Sequence, residues 1–311
     1  MREYDLVAVL DGTHGSPPVP EVQMVTHDGL TGVLAAAPRP VMRLLQSRRE
    51  IMLEAATRLS WQEACMPLGT LLPAQANCSL SHGGAVAFLQ ANQPQLSRLM
   101  RRFAGHVQVQ VTVSWQEDGV LARFRDSPEL APLFTEGLST PAALTEAITR
   151  LSSRLSQGIG YQLASVGTEI ARLPVTSSVL WNGAVLVPLS GLEALSGVVE
   201  AIDAIWSEGL QIRQIGPAPV GSFVTLELDR ISGPQAKKAL KAFGSSANHA
   251  AERRAGLLAA MDDMALREAI RAEARIAEAA ARLPIPAAGF SLARIRAEGL
   301  SSGSQLHRAV A

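Results

Sequence analysis

The spacing of apolar residues changes several times along the chain, and each change marks an expected element. Leu6-Val7-Ala8-Val9-Leu10 is an unbroken apolar run of strand length, which predicts a buried opening strand closed by Asp11-Gly12. Residues 22–25 and 30–36, divided by His27-Asp28-Gly29, predict two further short strands. From Val41 the spacing turns helical: Val41, Leu44, Leu45, Met52, Ala55, Ala56 and Leu59 fall on one face, and residues 60–63 close the helix. Residues 66–72 form a short apolar segment around Gly69-Thr70. A second helix is predicted from about Ser81 to Phe103, with Val86, Leu89, Leu96, Leu99 and Phe103 on its apolar side. Pro94 must kink that helix or start a new one, and Gly105 stops it. Val107, Val109, Val111, Val113 and Trp115 then alternate with Gln108, Gln110, Thr112 and Ser114. A strict period of two places one face of this strand on a core and leaves the other wet or partnered.

Residues 117–140 are richer in charge, Gly and Pro and read as a linker. Thr140-Pro141 then supplies the cap and first turn of a helix over 141–166, with Leu144, Ile148, Leu151 and Leu155 in register. Two apolar runs, 175–180 and 184–189, flank Trp181-Asn182-Gly183, and Asn-Gly in that setting is a strong hairpin signal. A helix over 192–206 follows, turning Leu195, Val199, Ile202 and Trp206 inward. Next come a strand over 210–215, a rigid corner Gly216-Pro217-Ala218-Pro219, and a strand over 222–228 that either joins this sheet or crosses to the other domain. Helix, hairpin, helix and strand in this order predict a ferredoxin-like arrangement. Residues 234–243 read as a short helix. Residues 248–283 read as one long helix of about 55 Å, with a thin stripe of Leu257, Met261, Met264, Ile270, Ala274, Ala277 and Ala280, ended by Pro284 and Pro286. Residues 290–311 are expected to be weakly ordered. The reading is thus α+β: an N-terminal α+β domain over 1–116, a linker over 117–140, a ferredoxin-like domain over 141–232, and a helical tail over 233–311.

Composition narrows the function. A chain of 311 residues is long enough for two cores, and with aromatics at 4 % those cores are built from Leu, Val, Ile and Ala. Twenty-eight basic side chains balance 28 acidic ones, so no net field draws in nucleic acid or an anionic membrane. Zero net charge and few charges favour association. The first apolar run is too short for a signal-peptide core, and no apolar stretch reaches about eighteen residues, so a cytoplasmic, non-membrane protein is expected. Cys65 and Cys78 lack CxxC spacing and neighbouring histidines, and read as free thiols in a reducing compartment.

The search for chemistry yields little. There is no phosphate loop, no dinucleotide fingerprint, no HExxH and no GxSxG. The histidines at 14, 27, 82, 106, 249 and 307 share no helical face at ligand spacing. His82-Gly83-Gly84 reads as a helix start and residues 11–15 as a turn. Asp262-Asp263 reads as a solvated helix face. Lys237, Lys238 and Lys241 form a basic patch too small for nucleic acid, and Arg101-Arg102 complements a helix C-terminus. No catalytic, cofactor-binding or metal-binding residue is expected, and the protein is read as a non-enzyme that binds other proteins.

Several segments, taken in order, carry a family resemblance. They are Leu6 to Leu10, Leu30 to Ala36, the helix Arg48 to Ala56, Met66-Pro67-Leu68-Gly69-Thr70, and Phe88-Leu89 leading to the alternating strand at Val107. In the second half they are Leu186-Val187-Pro188 and, most specifically, Gly216-Pro217-Ala218-Pro219-Val220-Gly221-Ser222-Phe223-Val224. Together, over roughly residues 5 to 230, they resemble the accessory gas vesicle proteins of the F/L family. Two places depart from the family pattern: Pro67 and Leu68 replace a basic and an aromatic residue before Gly-Thr, and Gly221 replaces an aromatic before Ser-Phe.

The resemblance implies an α+β domain followed by a ferredoxin-like one. It also implies a role as an accessory or minor component required for gas vesicle assembly, in contact with the hydrophobic shell protein and other gas vesicle proteins, without catalysis or cofactor. Two partner surfaces are expected. One is an edge or the wet face of the strand carrying Val109, Val111 and Trp115, with the corner residues Pro217, Pro219 and Phe223. The other is the long helix through Leu257, Met261 and Met264. The sequence leaves oligomeric state open. A small-molecule-binding regulatory protein with a ferredoxin-like domain is the alternative on fold analogy, and an unrecognised enzyme would need convergent polar residues in one pocket.

Overall fold

The computed structural model describes residues 3–37, 47–135, 140–176, 178–284 and 289–298. The chain divides into two compact units, one formed by Met1–Ala104 with Val224–Arg296, the other by Gly105–Phe223 with residues 297 and 298.

In the first unit, β1 (Glu3–Asp11) is the expected apolar run, and residues 6 to 10 are fully buried. The antiparallel hairpin β2 (Val22–His27) and β3 (Leu30–Ala36) turns at Asp28-Gly29, both with positive φ, as a two-residue primed turn requires. α1 (Arg48–Cys65) opens with a capping box: Glu50 N–H donates to Ser47 Oγ, and Ser47 N–H donates to the Glu50 carboxylate. Those bonds to Ser47 hold the Glu50 carboxyl below its ordinary range. β1 lies between β3 on one side and, on the other, β4 (Leu71–Pro73) and β5 (Ser79–Ser81), which pair with its two halves. One face of the sheet packs Val7, Leu10, Val22 and Val33 against Cys65 and Trp61 of α1. The other meets α2 (His82–Phe103), where Leu89 and Leu6 approach over Gly32. Burial on both faces is why β1 reads as a continuous apolar run rather than an alternation.

α2 is a single helix that runs through Pro94 instead of restarting after it. Pro94 sits on its exposed side, where the missing N–H costs least. The apolar stripe expected from Val41 to Leu59 is not the buried face of α1. Val41, Leu44 and Leu45 lie outside the described residues, while Met52, Ala55, Ala56 and Leu59 are exposed, and the helix continues past the expected stop to Cys65.

The second unit is a four-stranded antiparallel sheet in the order β7-β8-β6-β9. Its chain order is β6 (His106–Trp115), α3 (Glu117–Arg123), α4 (Ala131–Thr135), α5 (Pro141–Ala164), β7 (Glu169–Arg172), β8 (Val179–Pro188), α6 (Leu192–Asp203) and β9 (Leu210–Ala218). β6 has the expected alternation: Val107, Val109, Val111, Val113 and Trp115 are buried and the residues between them are half-buried. The expected linker over 117–140 instead holds α3 and α4 and contributes Val120 and Leu130 to the core. A two-pronged bond from Arg154 of α5 to Glu129, at 2.6 and 3.1 Å, ties that segment down and lowers the Glu129 pKa.

No turn occurs at Trp181-Asn182-Gly183; β8 runs straight through it, and the hairpin is formed by β7 and β8 instead. Gly183 serves close packing. A Cβ there would lie 2.7 Å from the Trp181 ring and 2.9 Å from the Ala171 carbonyl oxygen. Asn182 serves the polar side of the sheet, as described below.

From Thr225 the chain returns to the first unit with β10 (Thr225–Ile231), α7 (Gly233–Phe243), α8 (Ala247–Ala259), α9 (Met264–Ala280) and β11 (Phe290–Arg296). β10 pairs with β11 over its whole length, and Gln75 N–H donates to the Leu226 carbonyl. The strand expected at 222–228 therefore crosses to the first unit, and β6, expected to close the N-terminal domain, is one of the two central strands of the second. The expected boundaries at 116, 141 and 232 are displaced accordingly, because pairing partners are chosen over distances that local periodicity does not encode.

The single long helix expected over 248–283 is two helices. Asp263, read as part of a solvated face, caps α9 by accepting from the Ala265 and Leu266 N–H groups. Small side chains let the pieces pack closely: Ala250, Ala274 and Ala277 meet Ala239 and Phe243, while Ala279 and Ala280 meet Ala91, Ala236, Phe290 and Leu292. Residues 290–296, expected to be weakly ordered, form β11. Pro286 and residues 299–311 lie outside the described residues.

Candidate functional site

The residues that fix α1 to the first sheet are polar. Arg58 donates from Nε to the Ala74 carbonyl at 3.1 Å, and from Nη2 to the Gln75 carbonyl at 2.9 Å and to the Leu6 carbonyl. Gln62 Nε2 donates to the Val7 carbonyl at 2.9 Å. Both side chains are buried. Because the C-terminal half of α1 is held this way, its N-terminal half needs no apolar footing. Ile51, Met52, Leu53 and Leu59 are 54, 64, 66 and 43 % exposed. They are four of the eleven large exposed apolar side chains among the described residues, concentrated on three turns of one helix. Met52 and Leu59 lie on one side of α1 with Ile51 and Leu53 about 100° to either side, and a concentration of exposed apolar side chains, as opposed to scattered single residues, marks an interaction surface. Local sequence hid it, since Met52 and Leu59 obey core periodicity while Arg58 and Gln62 look solvated.

The surface expected on β6 is differently placed. β6 has a partner strand on each side, so it offers no edge. Val109 and Val111 are fully buried and Trp115 is 6 % exposed, so these three belong to the core. The opposite, polar face is bonded within the unit. Gln110 Nε2 and Thr112 Oγ1 both donate to Asn182 Oδ1, at 3.2 and 3.1 Å. Ser222 N–H donates to Gln108 Oε1 at 2.8 Å, and Ser114 Oγ to the Gln211 carbonyl. Of the corner residues, Pro219 and Phe223 are buried and Pro217 is exposed. Toward the C-terminus Leu257 of α8 and Met261 of the α8–α9 connection are half-buried, whereas Met264 is 63 % exposed beside Leu266 at 45 %. The expected contact residues are thus divided between buried and exposed positions, and among the described residues the densest run of exposed apolar side chains lies on α1.

Cys65 and Cys78 are free and buried, and burial pushes both thiols up to about 11. Each is therefore a protonated, poorly nucleophilic thiol near neutral pH. Among the described residues no group of three His, Cys, Asp or Glu side chains could hold a metal ion, and no helix is long and apolar enough to cross a membrane.

Antiparallel sheets covered by helices, in two units, define a mixed α+β protein. The chain belongs to the gas vesicle synthesis protein GvpL/GvpF family, whose model matches residues 9–225. Two solved structures share the fold. The gas vesicle protein GvpF from Anabaena sp. PCC7120 is 22 % identical, with a TM-score of 0.55, covering 70 % of this chain and 96 % of that one. GvpF from Microcystis aeruginosa is 20 % identical, with a TM-score of 0.54, covering 70 % of this chain and 97 % of that one. No curated protein sequence matches the chain. The family resemblance carried by the ordered segments from Leu6 to Val224 is borne out by that match.

Proposed function

We propose that this chain is an accessory or minor structural protein of the cytoplasmic gas vesicle, required for its assembly, and that it binds the hydrophobic shell protein through the exposed turns of α1. Family membership supplies the gas vesicle context. The observation that carries the binding role is the cluster of Ile51, Met52, Leu53 and Leu59, large apolar side chains left in water by a helix anchored through Arg58 and Gln62. Covering that cluster gives an apolar partner the main favourable term of association. An accessory protein that shields such a partner until it joins the shell contributes buoyancy without catalysis. Met264 and Pro217, both exposed, are secondary contact candidates for other gas vesicle proteins. The β-α-β-β-α-β succession and the order β7-β8-β6-β9 support reading the second unit as ferredoxin-like.

The test is capture of purified shell protein by the full chain carrying Met52→Glu and Leu53→Glu. Burying each of these side chains in a contact is worth about 1.5–3 kcal/mol, so the pair should weaken capture by at least ~10-fold. Thermal stability should stay within a degree or two, because both positions are exposed. Undiminished capture by a folded double variant contradicts the assignment of this face.

A further inference from the structure

A second place in the molecule, remote in sequence from α1, has unmet bonding capacity. α5 and the β7–β8 hairpin line an open depression of about 510 Å³. Its floor is Trp181, a side chain with no exposed surface whose indole Nε1–H is buried and has no hydrogen-bond partner. Buried donors are nearly always paired, so an orphaned one calls for an explanation such as a ligand. Beside it lies Arg172, whose guanidinium stacks on the Trp181 ring at 5.0 Å and donates from Nη2 to Ser156 Oγ at 2.9 Å. Among the described residues no carboxylate forms an ion pair with Arg172. Water lost from the stacked face pulls its pKa down, the behaviour of a cation lacking a counter-charge.

Gly160 of α5 faces these two donors without a side chain. A Cβ there would stand 3.4 Å from Trp181 Nε1 and 3.7 Å from Arg172 Nη1, in the space beside both. Glycine in a helix interior is unfavourable, so its position over the indole nitrogen is consistent with a site that needs that space. Tyr161, 80 % exposed, and Gln157 stand at the rim.

We propose that this pocket binds a carboxylate carried on an aliphatic stem, with its oxygens on the Arg172 guanidinium and the Trp181 indole N–H. The chemistry selects this class. A guanidinium fork beside an N–H donor matches a planar two-oxygen anion. One cation balances one negative charge, which favours a carboxylate over a phosphate dianion. The exposed ring of Tyr161 suits a hydrocarbon stem. The carboxylate belongs either to a protein chain end or to a free short-chain acid.

The test uses full-length protein labelled with nitrogen-15 and follows the Trp181 indole N–H resonance, one of four from tryptophan. It is assigned by Trp181→Phe or, should that variant unfold, by through-space contacts to Ile170. Titrated probes are butyrate, an N-acetylated tetrapeptide ending in a free leucine carboxylate, the same peptide as its amide, and inorganic phosphate. The expected result is a saturable downfield shift with one or both acids, at least ten times weaker with the amide and with phosphate, and abolished in Arg172→Gln, a substitution at an exposed position. Peptide acid binding ten or more times tighter than butyrate identifies a chain end as the ligand; equal binding identifies a free acid. A resonance unmoved by both acids, or moved as much by the amide or in Arg172→Gln, overturns the proposal.

Discussion

Replacing Arg58 with leucine should destabilise the first unit by about 3–5 kcal/mol, because it strips a charged donor from three buried carbonyls. Arg58 is 8 % exposed, and its guanidinium is the common donor to three carbonyls, those of Leu6 in β1 and of Ala74 and Gln75 beyond β4. Each bond from a charged donor contributes about 1.5–3 kcal/mol, and the loss is not a simple sum because one side chain makes all three. Leucine fills part of the volume but leaves buried carbonyl oxygens without that donor. Lysine should rescue little, since a single ammonium cannot reproduce the planar fork. In urea titrations the midpoint should fall sharply with little change in slope. A loss under about 1 kcal/mol would mean that Arg58 does not anchor α1, and the reason given for the exposed N-terminal turns would go with it.

Asn92→Leu should produce the next largest effect, about 2–4 kcal/mol from several lost buried bonds at ordinary strength. Asn92 is 3 % exposed on α2. Its Nδ2 donates to the Phe88 carbonyl at 2.7 Å and the Ser291 carbonyl at 3.0 Å, and its Oδ1 accepts from Ala293 N–H at 2.8 Å. One side chain thus fastens the last strand of the unit to a helix nearly two hundred residues earlier. Gln90, donating to the Arg282 carbonyl, and Arg275, donating to the Ala293 carbonyl, add to the same seam. Native-state hydrogen exchange should show the amides of residues 290–296 losing protection first, with β1 less affected. Unchanged protection of β11 would show that α2 does not hold it.

These two residues also mark where sequence reading succeeds and fails. β1 and β6 are legible because each records its surroundings directly: the apolar run from Leu6 to Leu10 has core on both faces, and the Val-Gln alternation has core on one. The family is legible because it rests on many short segments in order. Arg58, Gln62 and Asn92 are not, since a polar residue buried by a long-range bond looks the same in sequence as one in water. The Asn182-Gly183 pair has the chemistry of a turn, but here the missing Cβ makes room for Trp181 and the amide binds Gln110 and Thr112. The break between α8 and α9 is hidden because Asp263, a helix cap, stands in a run of strong helix formers. The α1 surface was inverted for a related reason. Met52 and Leu59 keep the period of a buried stripe, and which face a helix buries is settled by its partners.

The most direct measurement of the central claim is made in cells. A strain lacking this gene is complemented with the wild-type chain or with Met52→Glu/Leu53→Glu at matched protein levels, and gas vesicles are counted by electron microscopy. The account predicts that the wild type restores vesicles and that the variant leaves few or none. Equal vesicle numbers in the two strains would contradict it.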